Sequence, residues 1–435
     1  MSRSIVIRNA LILSDSASGL PFFGQVEIKD GLISTVATGE HRSEADEVID
    51  ADGCALLPGF VNTHAHSHSS LTRGSAEGVA LDEWLAVIES EQSRLTEEQL
   101  YIGALATYAE ALLSGTTAMM DMCLFPATAY RAARDIGIRA VIAPYVADTK
   151  PFTPTLAQTE ALLKQAAADD DRVRTFVGLH DLESCSDEQI GAGVALAKRY
   201  ATGLHLHCAE TERQVERTRS RTGRTPVAQL AALQALGNRT VLAHCVWVDD
   251  DDQRLLAETG THVAHCPHAN LKLGSGIAPI ADLRRRGVNV TLATDGAKAN
   301  NRLDPFDVMK FASLLQKGVL RDPAVLPPSD VLNMATRCGA AALDIPGGAV
   351  KPGNVADMIL VRLDTFHTQP MTPEAAPTNL VHAARGSDVV LTMVAGEILT
   401  RAGRLVSNRW ASLTEDARRV GFELITDRER RAAIA

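Results

Sequence analysis

Both ends of the chain alternate apolar and polar residues in short runs, which is the pattern of half-buried β-strands. Such runs are SIVIRNALIL (4–13) and QVEIKDGLISTVAT (25–38), with Asp30 and Gly31 as a predicted hairpin turn. The same pattern returns in VADMILVRL (355–363) and DVVLTMVAGEILTRAGRLV (388–406). We therefore predict one small β-sandwich domain assembled from residues 1–58 and 351–407.

The middle of the chain has a different rhythm, in which short apolar runs alternate with helix-like segments. Eight runs can be counted: GFVNTH, TTAMMDM, RAVIAPYV, RTFVGLH, GLHLHCAE, RTVLAHC, THVAHC and NVTLATDG. Eight parallel strands with intervening helices are the signature of a (β/α)8 TIM barrel. The pattern predicts an α/β protein whose barrel spans residues 59–350.

Three further segments have sequence patterns that predict helices. TEEQ (96–99) has capping-box spacing and opens a long helical pattern that ends at Gly115. DDDD (249–252) is interpreted as a solvated helix start, because the helix dipole favours negative charge there. Residues 408–435 carry apolar residues at helical spacing and form a predicted C-terminal tail that covers either its own barrel or a second subunit.

Composition narrows the function classes. Hydrophobic residues make up 46% and charged residues 22%, and the formal net charge is −10, which disfavours nucleic acid or an anionic membrane as partner. No signal peptide and no run of 18 apolar residues is present, so we expect no membrane association. The seven cysteines form no CxxC pair and suit reduced thiols, which indicates a cytoplasmic protein with a small-molecule substrate.

Polar side chains collect at the carboxyl ends of the predicted barrel strands. In a TIM barrel these ends surround the mouth where active sites are built. The residues concerned are His64, His66, Asp121, His180, His205, His207, His244 and Asp295.

An H-x-H pair on an extended segment can hold one metal, because both side chains lie on the same face. His64 and His66 have this spacing in VNTHAHSH, and His68 beyond the strand end is either a substrate contact or a loop residue. In LHLHCAE only one histidine needs to be a ligand: His207 is nearer the mouth, and His205 is interpreted as a buried supporting residue.

Asp295, in LATDG, would be costly to bury without a cation or a hydrogen-bonding partner. Three imidazoles and one carboxylate suit Zn²⁺ and also Fe²⁺ or Mn²⁺. Such a metal would lower the pKa of a bound water. His244 stands alone in LAHC, where its strand-end position favours a functional role over a core role.

The motifs PGFVNTHAH, HLHCAET, LAHC, HCPHANLKLGSG and TDG, in this order, resemble the amidohydrolase superfamily. The resemblance is to its cytosine/guanine deaminase, chlorohydrolase and S-adenosylhomocysteine deaminase branch, and it covers nearly the whole chain. It implies that one divalent metal is held by His64, His66, His207 and Asp295. It further implies that Glu210 is the general acid/base and that His244 helps to deprotonate the water.

The implied reaction is hydrolytic deamination of a purine, nucleoside, pterin or triazine-like ring. Hydroxide would attack a ring carbon while Glu210 protonates the adjacent nitrogen, and ammonia would leave. RTFVGLH ends in His180 and has no lysine to bridge two metals, so we expect one metal ion. A chlorohydrolase, an N-dealkylating hydrolase or a cyclic amidohydrolase with the same site is the alternative, and a non-catalytic binding protein would have a damaged metal site.

The resemblance is weaker for the substrate contacts. His180 and Glu91 match substrate-facing positions, whereas TDGAKANN places Lys298 where the deaminase branch has small residues and a serine. Trp84 and Trp247 would either stack on the substrate ring or pack in the wall. We predict His180, Glu91, Trp84 and Lys298 as substrate contacts and a homo-oligomer as the assembly.

Overall fold

The structure is a computed structural model that describes residues 4–14, 19–39, 45–150 and 152–432. It divides into two compact units. Unit 1 comprises residues 1–62, 110–118 and 304–407, and unit 2 comprises residues 63–109, 119–303 and 408–435. Residues 304–350, which the sequence analysis includes in the barrel span, have most of their contacts within unit 1.

The described residues form strands and helices in the following order. The strands are β1 Ser4–Ile12, β2 Phe22–Lys29, β3 Leu32–Thr38, β4 Glu47–Asp50, β5 Cys54–Pro58, β6 Phe60–Ala65, β7 Thr116–Cys123, β8 Arg139–Pro144, β9 Val173–Thr175, β10 Val177–Gly178, β11 Leu204–Cys208, β12 Thr240–His244, β13 His262–His265, β14 Val290–Leu292, β15 Met358–Arg362, β16 Val389–Val394, β17 Glu397–Arg401 and β18 Arg404–Leu405. The α-helices are α1 Leu81–Gln92, α2 Glu97–Leu113, α3 Pro126–Ile136, α4 Leu156–Ala168, α5 Asp187–Arg199, α6 Glu212–Thr222, α7 Pro226–Ala232, α8 Asp250–Thr259, α9 Pro267–Lys272, α10 Ile280–Arg285, α11 Ala297–Asn300, α12 Pro305–Leu320, α13 Pro328–Ala335, α14 Arg337–Ala342, α15 Ala376–His382 and α16 Leu413–Ala432. Short 3-10 segments are Ser67–Thr72, Gly386–Asp388 and Asn408–Trp410.

In unit 1, strands from both ends of the chain join in one nine-stranded sheet. Its order is β18-β17-β16-β15-β5-β1-β2-β3, with β4 also paired to β1. The antiparallel pairing of β5 with β15, with Leu56 opposite Leu360, joins the two ends. Both leucines belong to the apolar core of this sheet. The predicted hairpin between β2 and β3 is confirmed, and Asp30 and Gly31 have the positive φ values, 51° and 79°, that such a turn requires.

Each of the eight apolar runs predicted for the middle of the chain contains a strand. They form a four-stranded sheet, β6-β7-β8-β9, and a five-stranded sheet, β10-β11-β12-β13-β14. The run RTFVGLH contributes both β9 and β10, which are separated at Phe176. All four pairings in the five-stranded sheet are parallel, as is the pairing of β8 with β9. Strands β10 to β14 therefore run in the same direction, and their carboxyl ends lie along one edge of the five-stranded sheet.

Two hydrogen bonds connect the last of these strands with the first. The amide of Asp295, just beyond β14, donates to the carbonyl of His64 in β6 over 3.0 Å. The hydroxyl of Thr63 lies 3.2 Å from the carbonyl of Leu292, to which it donates. The segment from β14 to Asp295 is thus hydrogen-bonded to β6.

The predicted helix starts are confirmed. Thr96 and Gln99 form a reciprocal capping box ahead of α2, and Asp249 accepts hydrogen bonds from the amides of Asp251 and Asp252 at the start of α8. The tail forms α16, whose Val420 is buried whereas Phe422 is 71% exposed. Among the helices of the described residues, none combines the length and the apolar character needed to cross a bilayer.

Candidate active site

The residues that the sequence singles out at strand ends come together within unit 2. His64 lies near the end of β6 and His66 directly follows that strand. His207 is the penultimate residue of β11, and His244 is the last residue of β12. Because Cys208 is paired with His244 in the register of these two strands, the two histidines lie at nearly the same height. Asp295 follows the end of β14.

Two overlapping groups of side chains have the spacing of a metal site. One group is His64, His207 and His244, the other is His64, His66 and Asp295, and within each group the ligand atoms lie within 4.8 Å of one another. The Oδ1 atom of Asp295 lies 3.4 Å from Nε2 of His66 and 3.7 Å from Nε2 of His64. The Nε2 atoms of His66 and His207 are 3.4 Å apart. His64 belongs to both groups, so the two groups lie side by side around its ring.

Backbone carbonyls determine the tautomers of two of these histidines. Nδ1 of His66 lies 2.7 Å from the carbonyl oxygen of Met122, and Nδ1 of His207 lies 2.9 Å from that of His180. A carbonyl can only accept, so each Nδ1 carries the proton and each neutral ring presents a lone pair at Nε2. This arrangement is the one by which metal-binding histidines are usually oriented.

His64 reaches the same state through His205. Nδ1 of His205 lies 2.9 Å from the carbonyl oxygen of Val241, to which it donates, and its Nε2 lies 2.8 Å from Nδ1 of His64. Burial lowers the pKa of His205 to about 3, so the ring is neutral and its Nε2 accepts the proton of His64. Nε2 of His64 is then also a lone pair. His205 therefore lies behind His64 and orients its ring.

The convergence of these lone pairs fits a cation. If Nε2 of His66 and of His207 both lack a proton, two lone pairs face each other at 3.4 Å beside a carboxylate, an arrangement that is repulsive without a positive charge between them. Burial lowers the pKa of His64 far below its usual value, so protonation of this ring does not supply that charge. Three imidazoles and one carboxylate are a donor set for a divalent metal ion.

Asp295 and His244 both have left-handed backbone conformations, with φ values of 61° and 73°. Residues other than glycine adopt this region at a cost, and such strain is concentrated at functional sites. The amide of Gly296 donates to Oδ1 of Asp295 over 2.5 Å. The strained backbone turns the carboxylate of Asp295 back toward His64 and His66 instead of continuing along the strand.

Glu210 and His244 form a pair beside the cluster of His64, His66, His207 and Asp295. Oε2 of Glu210 lies 3.7 Å from Nε2 of His244, and Ser275 donates its hydroxyl to Oε1 of Glu210 over 3.3 Å. Nδ1 of His244 lies 2.8 Å from Oδ1 of Asn270, to which it donates, and this leaves Nε2 as its basic atom. Burial raises the pKa of Glu210, which favours its protonated form. The pair offers one proton donor and one proton acceptor.

Most of these groups face one cleft. Its polar lining includes His66, His207, Asp295, Glu210, His180, Asp181 and His244. Its apolar wall consists of Leu81, Trp84, Leu85, Ile88, Leu124, Phe152 and Leu273. A narrow apolar wall opposite convergent polar groups suits a small planar heterocycle.

His180 lines this cleft and is held from behind. Its ring stacks on that of Tyr145, with centroids 4.1 Å apart, and its Nδ1 lies 2.7 Å from the hydroxyl of Ser184. Asp181, 3.2 Å from the same nitrogen, accepts hydrogen bonds from two backbone amides. Although burial opposes it, contact with His180 and Ser184 holds the pKa of Asp181 low. These contacts fix the ring of His180 where it lines the cleft.

The remaining predicted substrate contacts separate into two sets. Trp84 is in the cleft wall, whereas Trp247 is 40% exposed outside it and donates to the carbonyl of Ser275. Glu91 and Lys298 are absent from the cleft lining among the described residues. The ammonium of Lys298 is buried and hydrogen-bonded to Glu91, so its charge is directed at this carboxylate and not at the mouth of the cleft.

Two supporting groups were not identified from the sequence. Asp121, counted at a strand end but given no role, accepts hydrogen bonds from the amide of Ser67 and the hydroxyl of Tyr108 and so fixes the segment after His66. Tyr145 follows β8, and its ring supports His180. Its position directly after a strand end is the sequence signal that could have identified it.

Comparison with known proteins agrees with this geometry. The profile of the Amidohydrolase family matches residues 55–399. The chain is 41% identical over 387 residues to a 5′-deoxyadenosine deaminase of Methanothermobacter thermautotrophicus, covering 88% of this chain and 90% of the relative. It is 37% identical over 415 residues to a 5-methylthioadenosine/S-adenosylhomocysteine deaminase of Syntrophobacter fumaroxidans, covering 93% and 94%.

Solved structures are similar over nearly the whole chain. A zinc-bound adenosine deaminase from Xanthomonas campestris superposes with a TM-score of 0.93 at 27% identity, covering 98% of this chain and 99% of that chain. A zinc-bound atrazine chlorohydrolase from Arthrobacter aurescens superposes with a TM-score of 0.88 over 96% and 100%, and at 22% identity it shows the fold alone. These likenesses confirm the α/β class and the TIM-barrel fold.

Proposed function

The chain belongs to the amidohydrolase family, as its motifs predicted, and we propose that it is a metal-dependent hydrolytic deaminase that acts on a nucleoside-type heterocycle. The observation that carries this proposal is the convergence of three histidine lone pairs and the carboxylate of Asp295 beside the Glu210 and His244 pair. Deamination of a ring carbon needs an activated water and a proton donor for the ring nitrogen. The cluster supplies the first and Glu210 the second.

The proposed ligands of one divalent ion are His64, His66, His207 and Asp295. Zinc is the proposed ion, because the nitrogen-rich donor set suits it and because the similar adenosine deaminase holds zinc; Fe²⁺ and Mn²⁺ are the alternatives. When bound, such an ion acts as a Lewis acid and lowers the pKa of water. A ring nitrogen of His244 also lies within 4.8 Å of one of His64. We nevertheless assign His244 to proton transfer, since its Nε2 faces Oε2 of Glu210.

The protein side chains move the protons of the reaction. As the water oxygen bonds to the ring carbon, His244 and Asp295 accept the water protons. Glu210, whose pKa burial raises, donates a proton to the adjacent ring nitrogen. One of these protons then passes from His244 or Asp295 to the exocyclic amino group, the bond from the ring carbon to that nitrogen breaks with its electron pair going to nitrogen, and ammonia leaves. The other proton returns to Glu210, and the oxygen of the water remains on the ring carbon as a carbonyl. His180 and Trp84 are the proposed contacts of the ring face and edge.

Our proposal also includes the barrel closure and the domain boundaries predicted from the sequence. We propose that the two parallel sheets close into one (β/α)8 barrel, supported by the hydrogen bond from Asp295 to His64. The proposed domains are 1–58 with 351–407 as a small β-sandwich, 59–350 as the barrel and 408–435 as the tail. The apolar core of the nine-stranded sheet supports the small domain.

We also propose a homo-oligomeric, cytoplasmic protein that does not bind nucleic acid. Exposed Phe422 and Ile425 on α16 support self-association, and the negative net charge disfavours nucleic acid. All seven cysteines are free thiols, which supports a reducing compartment.

The experiment that tests the activity is ammonium release by the zinc-loaded protein. The panel comprises 5′-deoxyadenosine, 5-methylthioadenosine, S-adenosylhomocysteine, adenosine, an aminopterin-type pterin and an amino-triazine, with chloride and alkylamine measured in parallel. We expect ammonium from at least one nucleoside. Release of chloride or alkylamine without ammonium would transfer the assignment to the chlorohydrolase or N-dealkylating alternative, and no product with zinc bound would contradict an enzymatic role.

A further inference from the structure

A buried ion pair lies beside the cleft and outside the catalytic cluster. The side chain of Lys298 is fully buried, and its ammonium donates to Oε2 of Glu91, whose side chain is 17% exposed. Ser75 donates its hydroxyl to the same oxygen over 3.4 Å. A buried ammonium is costly to desolvate and persists only with a well-placed partner, so the pair depends on its geometry.

The ion pair joins two elements that shape the active site. Glu91 lies in the last turn of α1, whose residues Leu81, Trp84, Leu85, Ile88 and Gln92 line the cleft. Lys298 lies in α11, which begins two residues after Asp295. The backbone carbonyl of Lys298 in turn accepts a hydrogen bond from Lys272 over 2.8 Å. The wall helix is thereby tied to the segment that carries a metal ligand.

Glu91 has the helical position of a cleft residue but not its contacts. It follows Trp84 by seven residues and Ile88 by three, so the three side chains share one face of α1. Trp84 and Ile88 line the cleft, whereas the carboxylate of Glu91 is held by Lys298 and Ser75. Oε2 of Glu91 is therefore directed at Lys298 and Ser75.

We propose that Glu91 and Lys298 are positioning residues, whose ion pair holds α1 against the Asp295 segment and thereby sets the width of the substrate cleft. The effect on substrate affinity rests on the proposed deaminase function. Because neither Glu91 nor Lys298 is among the proposed metal ligands or proton-transfer groups, loss of the pair should weaken substrate binding and leave the chemical step and the bound metal intact.

The test compares Lys298→Met, Glu91→Gln and the double variant with wild type. Lys164→Met is the matched control, because Lys164 forms an exposed ion pair with Glu160 on α4, away from the cleft. We expect Lys298→Met to raise KM roughly tenfold with kcat changed by less than about twofold. The double variant should resemble the single variants, since one interaction is lost in each.

Hydrogen exchange gives a readout that does not depend on turnover. Peptides covering residues 81–92 should exchange faster in Lys298→Met and in the double variant, but not in Lys164→Met. If Glu91→Gln fails to fold because its lysine is left buried and unpaired, the other two variants carry the test.

Unchanged KM and unchanged exchange in Lys298→Met would overturn the proposal. Additive KM effects would also overturn it, since they would indicate that Glu91 contacts the substrate directly. If wild type releases no ammonium from any compound, the proposed deaminase function fails. The positioning role is then judged by hydrogen exchange alone: faster exchange of α1 in Lys298→Met would still support it, and unchanged exchange would refute it.

Discussion

Replacement of His205 by leucine tests whether the hydrogen bonds behind the cluster orient a metal ligand. In the structure His205 accepts the Nδ1 proton of His64 over 2.8 Å, and both rings are buried. Leucine fills a similar volume but cannot accept, so the Nδ1 proton of His64 is left without its acceptor. His64 must then keep an unsatisfied donor or shift its proton to the atom that faces the metal.

The magnitude follows from the cost of that unsatisfied donor. A buried polar group left without its partner costs about 1–3 kcal/mol. If this cost falls on the metal-bound state, each 1.4 kcal/mol weakens binding tenfold, so the Kd for zinc should rise roughly 5- to 150-fold. Loss of a group that orients a ligand typically weakens metal binding about 10- to 100-fold, which is the same range.

The assay is competition for zinc with a chromophoric chelator at neutral pH. His205→Gln keeps an acceptor of similar reach and should bind zinc more tightly than His205→Leu. His262→Leu is the matched control. His262 is also a buried histidine, but its Nε2 donates to the backbone carbonyl of Asn238 and its Nδ1 accepts from the side-chain amide of Asn289, away from the cluster. A Kd for His205→Leu within twofold of wild type would refute the inferred tautomer of His64.

Three further outcomes are expected. Glu210→Gln should keep its zinc but lose at least about a hundredfold in kcat, measured by ammonium release with metal analysis. Because burial raises the pKa of Glu210, the stability that its carboxyl contributes is present at low pH and is lost as pH rises through the folded-state pKa. In chelator-treated protein the Tm of Glu210→Gln relative to wild type should therefore increase with pH, and a pH-independent difference would contradict the raised pKa. Asn270→Leu removes the acceptor that orients His244 and should lower kcat roughly tenfold or more at unchanged zinc content; loss of zinc instead would identify His244 as a ligand. Chelation should abolish turnover and lower the Tm, and zinc at about a thousandfold excess over its Kd should restore about 4 kcal/mol of stability; a Tm unaffected by chelation would argue against the metal site.

Much of the fold and the candidate cluster was accessible from the sequence. The spacing of His64 and His66 predicted that both side chains face the same way, and burial without a cation made Asp295 conspicuous in LATDG. The capping box at Thr96 was also predicted, since a cap involves residues only three apart. These features depend on local geometry that the periodicity of a strand or helix makes regular.

The predicted substrate contacts depend on distances between remote segments, which no local pattern encodes. The sequence placed Lys298 near the mouth of the barrel, but 207 positions separate it from Glu91, and nothing local predicts their ion pair. The stacking of Tyr145 on His180 has the same origin. Such pairs are determined by how helices and loops pack over the strand ends.

The sequence by itself determined which residues can reach the active site, because strand period and strand-end position decide which face and which end a side chain occupies. Only the tertiary structure decided what each residue does there. His205 and His207 share one face of β11, yet one supports His64 while the other faces the cluster. The difference is their depth along the strand relative to β6, a distance that the packing of parallel strands sets and that no local pattern encodes.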